Sequence, residues 1–387
     1  MKKVTLKLTA LVMLLGGAIT VSNAQSTNKI RVVTSAVPFL RITPDARSGG
    51  MGDIGIATSP DANANFVNLA KTPFNSNKVG ISVNYVPWLR DLSVNDVYML
   101  TLAGFFKIDD KQAISASFRY FSLGNIQFTD QLGNTLQTFK PKEFAFDLGY
   151  SRKLSKKNGI ALALRFIRSS LASGTFSTGT YKAGTSIAGD LHFFHHGAKE
   201  NGQGFNYGIT LSNLGSKISY SSNANDKDYI PANFGLGLAY TKVFNTSNKI
   251  TFGLDFNKLM VPTAKLDSAG NFPSQAALAR YRSKSVVSSW FSSWGDATDG
   301  VAEEIQEVSL GIGAEYWYND LFAFRAGYFY ENKNKGNRRY FTVGAGLKYS
   351  KFGINFAYLF PSGSGVSRNP LSNTWRFGLI FDMAGKK

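Results

Sequence analysis

From about Lys78 to the C-terminus, the chain repeats short segments in which large apolar residues alternate with small or polar ones. In Phe144-Phe146-Leu148-Tyr150 every second residue is large and apolar, while Glu143, Ala145, Asp147 and Gly149 between them are charged or small. Phe252-Leu254-Phe256 against Thr251, Gly253 and Asp255 reads the same way, as does Tyr328-Tyr330 against Gly327 and Glu331. A period of two places one set of side chains on each face of a strand. Such an apolar face either packs on a second sheet in a soluble sandwich or faces lipid in a membrane barrel.

The alternation predicts about fourteen strands, at roughly 78–86, 97–107, 112–121, 142–152, 159–169, 185–196, 204–213, 231–243, 249–257, 305–317, 321–331, 339–349, 352–360 and 374–383. Most have the length that a tilted strand needs to cross an outer membrane. Their connections obey a parity. After even-numbered strands the links are tight, as in Ile108 to Lys111, Leu154 to Asn158, Gly197 to Gln203, Asn245 to Asn248, Tyr318 to Asp320 and Ser350-Lys351. After odd-numbered strands they are mostly longer, the longest running from Lys258 to Glu304. A sandwich has no reason to segregate loop length, whereas outer-membrane barrels pair short periplasmic turns with long external loops. The expected fold is therefore all-β, a transmembrane barrel of antiparallel strands. Aromatics near strand ends, such as Trp317-Tyr318, Tyr328-Tyr330 and Tyr349, fall where an interfacial girdle is expected.

The N-terminus sets the compartment. Lys2 and Lys3, an apolar stretch from Leu6 to Ile19 and the small residues ending at Ala24 form a secretory signal peptide, 1–24. The stretch is too short for a spanning helix and is broken by Gly16 and Gly17. No later run of apolar residues is long enough to span as a helix, so the membrane option left is a closed barrel. The chain contains no cysteine, hence no disulfide framework or lipidation site. Cleavage removes three lysines and no acid, taking the formal charge from +18 to +15. Exported chains seldom meet nucleic acid. The loop cations Lys153, Lys156, Lys157, Arg280, Arg282, Lys284, Lys333, Lys335, Arg338 and Arg339 instead suit anionic lipid headgroups, lipopolysaccharide or acidic partners.

With the large residues facing lipid, the alternate set lines the lumen: Arg119, Glu143, Asp147, Arg165, Asp190, Asp255, Glu315, Arg325 and Arg376, among many glycines. Charges of both signs there point first to mutual pairing, and the small residues leave room for a plug or a narrow channel. The segment 25–77 before the barrel (78–387) is not strand-like. It is expected as an N-terminal periplasmic hatch, with Ser59 as N-cap of a helix begun by Pro60.

Several patterns imitate chemistry. Gly50-Met51-Gly52-Asp53-Ile54-Gly55 matches a dinucleotide fingerprint but lacks the strand–turn–helix unit that the motif needs. His192, His195 and His196 do not converge by alternation, which puts His195 opposite the other two and favours an interfacial role over metal ligation. Asn225-Asp226-Lys227-Asp228 lacks calcium-loop spacing. No catalytic, cofactor or metal constellation is expected. The 258–304 loop differs: it carries a predicted short helix, Gln275 to Tyr281, and then Trp290, Phe291 and Trp294. These three aromatics are the candidate partner contacts, with packing inside the loop and insertion at the lipid interface as the other readings.

The run from Asp45 to Asn63, Asp-Ala-Arg-Ser-Gly-Gly-Met-Gly-Asp-Ile-Gly-Ile-Ala-Thr-Ser-Pro-Asp-Ala-Asn, resembles the N-terminal signature of the PorV family of the Bacteroidetes type IX secretion system. The resemblance extends to the last strand, Thr374 to Phe381, and so covers essentially the whole mature chain. The wider family is that of FadL-type outer-membrane transporters, whose fourteen strands agree with the number that alternation predicts. Those proteins often carry Asn-Pro-Ala where this chain has Asn68-Leu69-Ala70, a departure that bears on hatch geometry. The resemblance implies a non-enzymatic role beside the SprA/Sov-like translocon. It implies binding of secreted cargo through its C-terminal targeting domain and delivery to a sortase-like attachment complex. The rival expectations are a FadL-like transporter of hydrophobic small molecules and an open diffusion porin.

Overall fold

A computed structural model describes residues 31–384 except 91–93, 130–131, 177–178, 224–225, 266, 268–270, 273 and 363–372. The expected signal peptide lies outside the described residues, and Val32–Lys387 form one compact unit. The strands are β1 (Asn77–Pro87), β2 (Val97–Lys107), β3 (Gln112–Leu123), β4 (Ile126–Thr129), β5 (Thr135–Phe139), β6 (Lys142–Lys153), β7 (Asn158–Ser170), β8 (Gly174–Phe176) and β9 (Gly179–Tyr181). They continue with β10 (Gly184–His196), β11 (Gly204–Gly215), β12 (Asn233–Val243), β13 (Asn248–Leu259), β14 (Ser309–Tyr318), β15 (Phe322–Tyr330), β16 (Arg339–Tyr349), β17 (Phe352–Pro361) and β18 (Trp375–Ala384).

Fourteen of these close into one antiparallel barrel in which β1 pairs with both β2 and β18. Closure matters because an unpaired strand edge in hydrocarbon leaves a row of peptide groups with no partner. The remaining four form two hairpins, β4–β5 and β8–β9, within long loops. The alternation sorts as expected. Phe146, Leu148, Leu162, Leu164, Phe252 and Phe324 are exposed on the outer wall, whereas Arg119, Glu143, Asp147, Arg165, Asp190, Asp255, Glu315, Arg325 and Arg376 are buried.

Four local expectations are corrected. β14 begins at Ser309, since 301–306 form a helix, so 305–308 are not strand. Trp317 is no girdle residue: its ring lies 5.7 Å from the Arg325 guanidinium inside the barrel, while Tyr318 and Tyr349 are exposed. Ser59 caps nothing. The cap is Asp61, whose carboxylate accepts from Asn63 N at the start of the 3-10 turn Ala62–Phe66. His192 is not interfacial but buried, and its Nδ1 accepts from Leu69 N at 2.9 Å.

The lumen is filled by the chain's own N-terminal segment. At the long-loop end, Val37, Phe39, Leu40 and Ile42 pack with Val86, Val97, Met99 and Phe121 of the wall and with Ile218 and Ile230 of a loop. The chain then descends through α1 (Ala46–Gly49), capped by the Asp45 carboxylate on Arg47 N and Ser48 N. At the short-turn end, Lys107 Nζ holds Asn75 O.

Polar groups of wall and segment complete each other. Glu315 accepts from Arg47 Nε and Nη2 at 2.8 and 2.7 Å and from Arg325 Nε at 2.7 Å. Asp255 Oδ2 accepts from Gly55 N and Ile56 N, and Arg376 pairs with Asp53, which also accepts from Tyr340 OH. Asp53 has a left-handed backbone (φ 61°), uncommon for a non-glycine, and these two partners hold it there. Asn68 locks the stretch that lacks the proline. Its amide donates to Ile56 O and Phe193 O, and Leu69 fits against Gly149. Gly313 and Gly327 are required by close approach, since a Cβ on either would collide with the Met51 backbone.

Two outcomes test this arrangement. Glu315→Gln leaves Arg325 without its carboxylate and Arg47 with Asp61 alone, and is expected to destabilise the seated segment by about 3–5 kcal/mol. The readout is protease cleavage within 32–76 of a barrel that still resists unfolding in detergent, and an intact segment would refute the role given to Glu315. Gly327→Val is expected to displace the Met51 stretch and raise single-channel conductance in planar bilayers above that of the parent protein.

Candidate functional site

The connection between β13 and β14 is the largest structure outside the barrel. Its helices are α2 (Gln275–Ser283), α3 (Val286–Ser292) and α4 (Val301–Gln306). The first is built from strong helix formers, Gln-Ala-Ala-Leu-Ala-Arg, and capped by Ser274 on Ala277 N at 3.1 Å. Ser285 caps α3 on Ser288 N at 3.1 Å.

Ion pairs bind this loop to the barrel rim. Glu307 receives Lys258 Nζ at 2.6 Å and Lys335 Nζ at 2.8 Å, Glu303 receives Lys335 at 2.7 Å, and Glu304 lies 2.9 Å from Lys258. Lys258 sits on β13 with its side chain 4% exposed. Alternation from the luminal Asp255 turns it outward, so α4 and the glutamates shield a cation that would otherwise meet lipid. On the opposite flank, Lys217 Nζ donates to Arg282 O and Lys284 O at 2.7 and 2.6 Å, and Arg282 pairs with Asp226. Burial raises the Asp296 carboxyl in this loop, against the Thr263 N–H and Lys284, which pull it back. In the β15–β16 loop burial also pushes Glu331 up, but Arg338, bonded to both its oxygens, holds it below the usual carboxylate range.

The three aromatics singled out from sequence separate here. Trp290 is half-buried. Trp294 lies edge-on to Phe234, 5.3 Å between ring centroids, and 5.8 Å from Lys258 Nζ. Phe234 alternates with the luminal Gly235 and so belongs to the outer wall; Trp294 therefore packs on the barrel's outer rim while staying 48% exposed. Phe291 is 76% exposed. Sequence reasoning missed its company. Val287, Phe291 and Trp294 recur at helical spacing, as do Val301 and Ile305 on α4, and all five are exposed. These two apolar ridges stand on a loop that ion pairs hold to the barrel rim. The spacing i, i+4, i+7 in 287–294 was the available signal.

The histidines stay apart in role. His192 binds the luminal segment, and His195 stacks on Tyr207 at 4.7 Å and meets Asn158 Oδ1. Among the described residues no three His, Asp or Glu converge as metal ligands. The Gly50–Gly55 stretch runs along the wall, with Gly52 N donating to Thr342 Oγ1.

Solved structures share this fold. The toluene transporter TbuX of Ralstonia pickettii superimposes with a TM-score of 0.54 at 13% identity, over 88% of this chain and 98% of that one. A variant of the monoaromatic hydrocarbon channel TodX lacking S2 and S3 gives 0.51 at 13% identity, with the same coverage of both chains. At such identity the likeness shows a FadL-like barrel fold and nothing of ligand. No curated protein sequence matches the chain. The family model described as type IX secretion system protein PorV matches residues 24–266, more than half of the sequence, in which lie the Asp45–Asn63 signature, the luminal segment and most of the barrel. The barrel is an outer-membrane protein, and the chain belongs to the PorV family of the type IX secretion system.

Proposed function

We propose that this outer-membrane component of type IX secretion works through its external loops. In this reading it docks to the SprA/Sov-like translocon and to the C-terminal domain of secreted cargo, and passes cargo to a sortase-like attachment complex at the surface. The observation that carries the reading is the pair of exposed ridges, Val287-Phe291-Trp294 and Val301-Ile305, held on a loop that ion pairs brace against a closed barrel. Large exposed aromatic and aliphatic clusters on a rigid base are what hot spots are made of. A polar, self-filled lumen argues against a transporter of hydrophobic molecules, whose pocket is mostly apolar. The charged lining here instead engages the protein's own N-terminal segment and its neighbours on the wall.

The structure refines which substitutions test this. Trp290 and Trp294 also pack within the loop or on Phe234, so changing them alters the loop itself. The sharper variant is Phe291→Ser with Ile305→Ser. It is expected to reduce co-purification of the translocon or of cargo at least tenfold while barrel assembly stays normal. Unchanged recovery of both partners would sink the docking role of the ridges. Glu307→Gln, which removes the carboxylate shared by Lys258 and Lys335 and leaves them Glu304 and Glu303 alone, is expected to loosen the loop, read as faster proteolysis within 274–306, and to weaken the same capture.

A further inference from the structure

Between the upper part of the luminal segment and its lower part lies a cavity of about 130 Å³. Its lining is mixed. Leu40, Ile42, Ile56 and Phe329 form apolar edges, while Arg119, His192, Thr210 and Ser212 supply polar groups from the wall.

Hydrogen bonding around the cavity is lopsided. Arg119 is 2% exposed, and among the described residues it forms no ion pair. Its Nη1 donates to Leu40 O at 3.0 Å, its Nε has no partner, and one face of the guanidinium rests on Phe66 at 4.8 Å. His192 is 3% exposed. Because its Nδ1 accepts from Leu69 N, the neutral ring carries its proton on Nε2, and that donor also lacks a partner. The nearest carboxylate oxygen, Asp190 Oδ2, is 4.0 Å away, beyond hydrogen-bonding reach.

Three acids, Asp53, Asp190 and Asp255, also line the cavity, and the acids in and around it are already engaged: Asp255 Oδ2 takes Gly55 N and Ile56 N. Asp190 takes Arg165 Nη2 at 2.9 Å and Asn213 N at 2.7 Å. Asp147 takes Arg165 Nε and Ser117 Oγ, and Asp53 takes Arg376 and Tyr340. Two buried nitrogens, Arg119 Nε and His192 Nε2, thus lack a hydrogen-bond partner on residues that line the cavity. A buried unpaired charge is strongly unfavourable, and the partner that relieves it is an anion with two acceptor oxygens.

We propose that this cavity binds a small organic monocarboxylate, with Arg119 as its counter-ion and His192 Nε2 as a second donor. A monovalent carboxylate matches the single unpaired arginine. The apolar edges suit a short carbon body better than a bare halide, and Thr210 and Ser212 can meet hydroxyl groups on it. The site lies in the lumen, away from the external ridges, and is independent of the docking role. It ties ligand occupancy to seating of the segment, because Arg119 also holds Leu40 and His192 also holds Leu69.

The test uses the purified full-length protein in detergent. Thermal unfolding is followed with a panel of one- to four-carbon monocarboxylates (formate, acetate, lactate and butyrate) against sodium chloride at equal ionic strength. At least one is expected to raise Tm saturably by several degrees while chloride does not. Arg119→Gln is expected to abolish that rise. Should that variant fail to assemble, Thr210→Leu, which fills the cavity and keeps Arg119, is expected to abolish it as well. The proposal falls if no carboxylate exceeds chloride, or if Thr210→Leu responds like the parent protein. It also falls if a high-resolution map of carboxylate-saturated protein shows only ordered water in the cavity.

Discussion

Glu315 carries the contact on which the rest of the molecule turns. It lies on β14, is 1% exposed, and accepts at once from Arg325 on the neighbouring strand and from Arg47 on the luminal segment. Arg47 in turn reaches Ser59 and Asp61, so a single carboxylate fixes the wall to both arms of the segment. The need for it follows from the membrane. Lipid takes the large apolar face of each barrel strand, so the charged set of the wall points inward, where burial favours side chains that find a partner. The N-terminal segment, rich in backbone groups and short polar side chains, provides those partners.

That division explains what could be read from the sequence. The barrel strands were legible because lipid enforces a strict period of two, and the charged inward set was legible as its complement. The partners of that set were not. Arg119, Asp255 and Arg376 find backbone or side-chain groups of residues 40 to 56, contacts spanning up to hundreds of positions that no local pattern encodes. Where the period is weak the reading failed. The hairpins β4–β5 and β8–β9 lie outside the barrel wall, and α4 disguised itself as the start of β14 because Ile305 and Glu307 mimic alternation. Trp317 was misplaced for a related reason: an aromatic near a strand end belongs to the girdle only if parity turns it outward. The candidate docking loop was half legible, as aromatics in a long connection. That Phe291 stands clear while Trp294 leans on Phe234 depends on how the loop folds over the rim.

The closed fourteen-stranded wall surrounds a filled lumen, and the filling is specific: glycines on four adjacent strands, β12 to β15, face residues 51 to 56 at distances that would admit no larger side chain. The external loops lie outside this close fit. Lys258, Lys335, Glu303 and Glu307 tie the β13–β14 loop to the rim.

The pairing of Asp53 with Arg376 also ties the seam of the barrel to its plug. Arg376 belongs to β18, which joins β1 to close the sheet, and Asp53 precedes β1 in the chain. The strand pair that closes the cylinder therefore grips the segment that fills it, and the first and last parts of the described chain meet at one ion pair.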